Sequence, residues 1–462
     1  MNAPNTSPEG LRDRDAPQNG SHPPAAQRSH ALASLLIRDY RWFWFGSLAA
    51  FLGMNMQMVA RGWLIYKEMN GTALDVAWMM VAVALPMAVL GLPGGAISDR
   101  VFKRDVMTLT LGASALFSLV IALLIHTGAI QFWHVLLSGF FNGLVFAFMG
   151  PARMSFIPQL VGDRHLVNAV ALNQTGMNLT SIVAPAAAGF LIAGFGTAVV
   201  FDLTVVLYLL GAAAVLLVKD RGKPAGAVRR NLLREIGDGL SYVRGQRVVL
   251  ALVVFSFVPM VLGFSYQLLM PVFVVDALHT GSVSLGMFMT IVGVGALVGS
   301  VAVAAVSSFR WQQILMVGCA LGWGAFIVVF SLAPNTVSVM LPLLLTGLTG
   351  SVYMVLANSF MQVYALPEMR GRVTSILMTA HGLMPVALLP ISGLADAVGV
   401  RQAFVGSGLL VILAVVLIYT LMPALRRLPP LPYGGVGTAS GGLSSSAPVS
   451  PVARVSSTVG GV

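Results

Sequence analysis

Twelve apolar runs of roughly 20 residues each, long enough to cross a bilayer core, constrain this chain more than any motif. The first six cover 42–66, 74–97, 106–125, 132–154, 166–193 and 198–218. The second six cover 248–275, 283–306, 313–332, 337–363, 373–395 and 404–422. Backbone polar groups in lipid must be paired within the segment, so each run is expected to be a helix. The alternating pattern of a membrane barrel is absent. Hydrophobic residues make up 57% of the 462 and charged residues 9%, against about 25% charged in soluble domains. A chain this poor in charge has lipid as its solvent.

The runs also repeat. A shift of 205 residues brings Pro185 onto Pro390, each in a stretch of small residues, and Gly162-Asp163-Arg164 onto Pro367-Glu368-Met369. A period this long points to a duplicated bundle, as in transporters built from two halves with substrate at their interface. The expected architecture is an all-α membrane protein with two pseudo-symmetric six-helix bundles, 38–218 and 248–424. A linker, 219–247, joins them. The tails 1–37 and 425–462 are rich in Pro, Gly, Ser and polar residues and are expected to be disordered. The first 30 residues lack an apolar core, so the first span is expected to act as the targeting signal. Within the linker, Leu232, Leu233, Ile236 and Leu240 recur at near-helical spacing among basic residues. Either a helix lying on the inner leaflet or a solvated connector accounts for that.

Charge sets the expected orientation. With both termini and the loops on their side in the cytoplasm, that side holds all of the 27 Lys and Arg except Arg61, Lys67 and Arg401. This obeys the positive-inside rule and places the chain in a bacterial-type inner membrane. It also accounts for the net charge of +11 without nucleic acid. Cys319, the single cysteine, excludes an internal disulfide framework. No metal-ligand spacing, Walker loop, dinucleotide fingerprint or nucleophile elbow is present. An enzyme, a cofactor and ATP-driven transport are therefore not expected.

Between the second and third runs the chain reads Gly95-Ala96-Ile97-Ser98-Asp99-Arg100-Val101-Phe102-Lys103-Arg104. This resembles the cytoplasmic signature of the major facilitator superfamily at Gly95, Asp99, Arg100, Lys103 and Arg104, and departs from it at Phe102, where the family has glycine. Physically, Gly95 permits close helix approach, and Asp99 suits a helix N-terminus or an Arg partner. The resemblance implies that these five residues form a latch between the halves that holds an outward-open state. The alternative is a topogenic basic loop with Asp99 as a helix cap. Under the repeat, Asp99 and Arg100 fall on Ala304 and Ala305, so a latch here is asymmetric.

Met56 to Tyr66, Gly150-Pro151-Ala152-Arg153, Pro158-Gln159-Leu160-Val161, Asn168-Ala169, Asn358, Gln362 and Pro367-Glu368 to Val373 together resemble the drug-and-siderophore efflux branch of that superfamily. Of the helix-5 antiporter signature only Pro185 and Gly189 match, with Ala184 and Ala188 in glycine positions. In that architecture the first, fourth, seventh and tenth helices line the cavity. The resemblance thereby picks out Tyr266 and Gln267 in the seventh run and Tyr353 and Asn358 in the tenth as cavity residues, with packing as the alternative for each.

Polar groups inside spans are costly and mark candidate sites. Gln57 and Arg61 lie four residues apart, on one helix face. Arg61 either lines the cavity or reaches toward the outer interface. Asn142 and Asn178 line the cavity or join helices. His381, mid-way along the eleventh run, is a candidate carrier of a coupled proton or a packing partner. Asp202 is the one clear acid within a span, either proton-coupling or interfacial. The expected activity is export of a small amphipathic molecule, a drug or siderophore, by a monomer that uses alternating access and proton coupling among membrane lipids. A lipid flippase of the same fold and a non-transporting sensor or scaffold are the alternatives.

Overall fold

The computed structural model describes residues 32–98, 100–223, 232–305, 311–366 and 369–426, and these are nearly all helical. The first group is α1 (Arg38–Trp63), α2 (Ala73–Ser98), α3 (Lys103–His126), α4 (Phe132–Phe195) and α5 (Thr197–Leu216). A short helix, α6 (Leu232–Gly245), follows where the sequence spacing is near-helical. The second group is α7 (Arg247–Gly263), the short α8 (Ser265–Leu268) and α9 (Met270–Val272), α10 (Ser282–Ala305), α11 (Gln312–Leu332), α12 (Thr336–Tyr364), α13 (Arg370–Val398) and α14 (Val400–Leu421). The four-residue α15 (Pro423–Arg426) closes the described chain.

Among the described residues, 10 helical segments are long and apolar enough to cross a membrane. One of them, α4, runs for 64 residues, about three bilayer cores if straight. It bends at Gly162, whose φ of 64° and ψ of 174° are non-helical. Glycine takes that conformation without a side-chain clash. The fourth and fifth apolar runs are the two arms of this segment, and the first arm continues to Gly162 rather than ending at 154. The eleventh run lies in α13. Leu109, Leu116 and Leu123, seven residues apart on α3, are all exposed, an outward apolar stripe suited to lipid.

The two groups share a frame. α1 packs on α4 and α5, α2 on α4, and α3 on α5; in the second group α10 and α11 pack on α12, and α11 and α7 on α14. α1 ends in a π-helical turn, Leu64–Glu68, and the second group repeats it at Phe273–Ala277. A left-handed residue follows each turn, Asn70 (φ 51°) and His279 (φ 53°). Gly196 (φ 86°) and Gly399 (φ 96°) turn the chain into α5 and α14. The spacing is 209 residues from Leu64 to Phe273 and 203 from Gly196 to Gly399. The 205-residue shift read from the sequence is intermediate between these.

Candidate transport site

Gln57 and Arg61 sit on the face of α1 that turns toward α3, α4 and α5, and both are buried. The Gln57 amide Nε2 donates to Ser118 Oγ on α3 and, at 2.8 Å, to Thr204 Oγ1 on α5. Arg61 Nη2 donates to Gln57 Oε1 at 2.7 Å, and Arg61 Nε donates to Ser138 Oγ on α4 at 3.1 Å. Helical side chains lean toward the N-terminus of their helix, so the guanidinium points back to Gln57 and away from the nearer end of α1. It does not reach for the interface. A cleft beside this chain of bonds is lined by Gln57, Arg61, Ser114, Ser118, Ser138 and Asn142, with empty space of about 270 Å³. Phe117 and Phe141 stack 3.8 Å apart on its wall.

The other expected cavity residues are placed differently. Asn178, half-buried on α4, accepts from Gln174 Nε2 at 3.2 Å and does not line this cleft. Tyr266 is buried edge-to-face against Phe330, with ring centroids 5.6 Å apart. Gln267 is half-buried in α8 and Asn358 is exposed on α12. Tyr353 is fully buried, and its hydroxyl donates to the carbonyls of Phe255 (2.7 Å) and Ser256 (2.8 Å), which ties α12 to α7. The structure thus brings Gln57, Arg61 and Asn142 together and leaves the other five outside that cleft.

Of the two proton-coupling candidates, Asp202 on α5 lies 2.9 Å from His126 Nε2 at the end of α3, with both side chains largely exposed. His381 falls in α13, and its side chain lies outside the described residues. Asp99 also lies outside them, and Gly95 is placed only as a residue of α2. Arg100 is exposed. The backbone N–H groups of Lys103 and Arg104 donate to the carbonyls of Gly222 and Arg221, and Arg104 Nη1 donates to Val218 O at 3.1 Å. Asp39 joins them, accepting from the N–H groups of Lys219 and Asp220. The basic end of the signature therefore holds the start of the inter-half segment.

A second polar region joins the two groups of helices at the end opposite the termini. Tyr66 donates to Asp276 Oδ2. Asp396, near the end of α13, accepts from the N–H of Ala73 at 2.8 Å and of Leu74 at 2.9 Å. These are orphan donors of the first turn of α2, where an anion is favoured. Ser282 Oγ donates to Gly189 O at 3.1 Å and Thr290 Oγ1 to Ile182 O at 2.9 Å. The backbones meet here too: a Cβ on Gly189 would lie 2.5 Å from Ser282 O, and one on Gly286 would lie 2.4 Å from Pro185 O. A Cβ on Gly91, toward the other end of α2, or on Gly150, toward the bend of α4, would meet nothing within 4 Å. The inter-group bonds among the described residues thus gather at the end away from the termini.

Arg153 is a residue the sequence reading left among the loop cations. It is buried on α4, nine residues before the bend at Gly162. Its Nη1 donates to Asn173 Oδ1 at 3.4 Å, and its Cζ lies 4.3 Å from the Phe51 ring centroid. The available signal was the apolar stretch Phe156, Ile157, Leu160, Val161, which carries the span past Arg153.

A family model described as transmembrane secretion effector matches residues 29–429. The chain belongs to this family. It is a member of the drug and siderophore efflux branch of the major facilitator superfamily, which is made of transporters. The multidrug efflux pump Tap of Mycolicibacterium fortuitum is 28% identical over 401 residues, covering 83% of this chain and 95% of the pump. The staphyloferrin A transporter of Staphylococcus aureus is 23% identical, covering 79% of this chain and 91% of that protein. Macrolide efflux protein A of Streptococcus pyogenes is 22% identical, covering 78% and 90%. The nucleoside transporter NupG superposes with a TM-score of 0.68 at 10% identity, covering 83% of this chain and 99% of that one. A peptide transporter, POT, gives a TM-score of 0.67 at 13% identity, covering 85% and 95%. These two show the shared fold. The efflux-branch chain is thus a multi-pass membrane transporter.

Proposed function

We propose that this secretion effector exports a small amphipathic molecule, a drug or siderophore, out of the cytoplasm by alternating access driven by protons. The end that carries the termini is the cytoplasmic one, because the basic loops gather there. On this reading the state described is inward-open. One observation carries this reading: the bonds and backbone contacts between the halves concentrate at the outer end, through Tyr66 to Asp276, Asp396 to α2 and Gly189 to Gly286. In the outward-open state the outer bonds part, and the signature residues Gly95, Asp99, Arg100, Lys103 and Arg104 latch the cytoplasmic end instead. Efflux by the Tap pump and by macrolide efflux protein A supports the direction. The Asp202–His126 contact and the Tyr66–Asp276 bond lie toward the outer end, the side from which protons would enter.

The test is retention of a panel of fluorescent dyes and antibiotics in efflux-deficient cells. Cells with the protein should retain less than cells without it, and a protonophore should erase the difference. Equal retention across the panel would sink multidrug export. A difference that survives the protonophore would sink proton coupling and leave export standing.

A further inference from the structure

Arg61 is a full positive charge within a membrane helix, and it is 5% exposed. Its hydrogen-bond partners, Gln57 and Ser138, are both neutral. Among the described residues no carboxylate pairs with it. Charges inside membranes face a cavity and pair with opposite charge or with backbone carbonyls; Arg61 has neither partner among the described residues, and a guanidinium cannot shed its charge by ordinary titration.

The cleft beside it supplies donors and no acid. Arg61 has five N–H groups, of which those on Nε and Nη2 engage Ser138 and Gln57. Ser138 Oγ accepts from Arg61 while its own hydroxyl proton has no acceptor among the described residues. The Asn142 amide, half-buried at the cleft, likewise has no hydrogen-bond partner there. Ser114 and Ser118 differ: their hydroxyls donate to the carbonyls of Thr110 and Ser114. The free donors are therefore on Arg61, Ser138 and Asn142, three groups from α1 and α4 that line one cleft. The cleft among them has empty space of about 270 Å³, open in part to solvent, beside the stacked Phe117 and Phe141.

We propose that this cleft within the first helical group binds a compact monoanion, a halide or a single carboxylate group, which neutralises Arg61. One charge calls for one opposite charge, and the donors present are of the kind that anions take. The occupant is either a resident inorganic anion or the carboxylate of an organic-acid cargo. The second source rests on the export reading; the first stands without it.

The test uses the full chain, purified in detergent at constant ionic strength in sodium isethionate, whose anion is larger than the three tested. Chloride, bromide and acetate are titrated in separately while thermal unfolding is followed. The wild type should show a saturable rise in Tm. Arg61→Gln should show none, and Asn142→Leu should need a several-fold higher concentration. Asn142→Asp supplies an internal anion, so it should be as stable without added anion as the wild type is with it, and should ignore the titration. Asn142→Asp also decides the matter if Arg61→Gln fails to fold. A response to halides alone identifies an inorganic ion. A response to acetate alone identifies a carboxylate ligand, and a response to both identifies a site open to either. No saturable response in the wild type, or the same response in Asn142→Asp, overturns the proposal. Because the readout is binding, failure of the export assay does not affect it.

Discussion

The two helical groups have one frame and two interiors. Each has a first helix ending in a π turn and a left-handed residue, and each turns into its last helix at a glycine with positive φ. Inside the first group lies a polar seam across four helices: Arg61 donates to Ser138 and Gln57, and Gln57 donates to Ser118 and Thr204. The second group has rings instead. Phe330 packs against Tyr266 (5.6 Å), Phe273 (5.6 Å) and Phe404 (5.7 Å), and Trp323 against Tyr353 (5.7 Å). At the 209-residue offset of the π turns, Tyr266 stands where Gln57 does and buried Met270 where Arg61 does. The difference teaches that a duplicated fold can keep its packing geometry while one copy buries a hydrogen-bonded polar seam and the other a cluster of rings.

The largest expected effect tests the shared frame. A Cβ on Gly143 would lie 1.9 Å from Val83 O, and one on Gly347 would lie 2.1 Å from Val292 O, at matching helix pairs. Gly143→Leu and Gly347→Leu should each cost about 3 kcal/mol or more through overpacking, read as loss of folded protein in membranes. If one is tolerated, the halves are not equivalent in packing. Next comes the difference in interiors. Arg61→Met should lower export at least about tenfold at matched expression, as loss of an intramembrane functional charge does, while Met270→Leu should leave it unchanged. Comparable losses in both would erase the distinction.

Smaller effects sharpen it. Tyr353→Phe removes a hydroxyl that two carbonyls share, and should cost about 1 kcal/mol of stability in thermal unfolding without lowering export. A marked export defect would give Tyr353 a role in transport. Asp396→Asn weakens an anion at a helix N-terminus, worth about 0.3–1 kcal/mol. It should raise the outer-end reactivity of a cysteine placed at Leu74 toward an impermeant thiol reagent. Unchanged reactivity would remove Asp396 from the gate.

The legible parts were those that depend on local pattern. Apolar length gave the spans, and four-residue spacing put Gln57 and Arg61 on one face. Which neighbour that face meets was not legible, because α1 is apolar on nearly every side and its spacing carries no direction. Hydropathy also ended the fourth run at 154, since Arg153 reads as a loop cation until its burial beside Phe51 is seen. The contacts between the two groups were invisible for another reason. Tyr66 and Asp276, or Ala73 and Asp396, lie hundreds of residues apart, and each acid looked like an ordinary helix-end residue. His126 and Asp202 lie on different helices of the first group, 76 residues apart, so Asp202 read as solitary.

Alternating access is tested most directly by paired distances across the two ends. In a Cys319→Ser background, spin labels go on Asn70 and His279 at the outer end, and on Val101 and Trp311 at the other, all exposed positions. Pulsed dipolar spectroscopy in nanodiscs then compares the protein with and without Asp396→Asn. The account predicts one short, narrow outer distance in the parent, and a second population in Asp396→Asn in which the outer pair lengthens while the other pair shortens. If both pairs lengthen together, or the outer pair is already broad in the parent, the two ends are not reciprocal gates and the account fails.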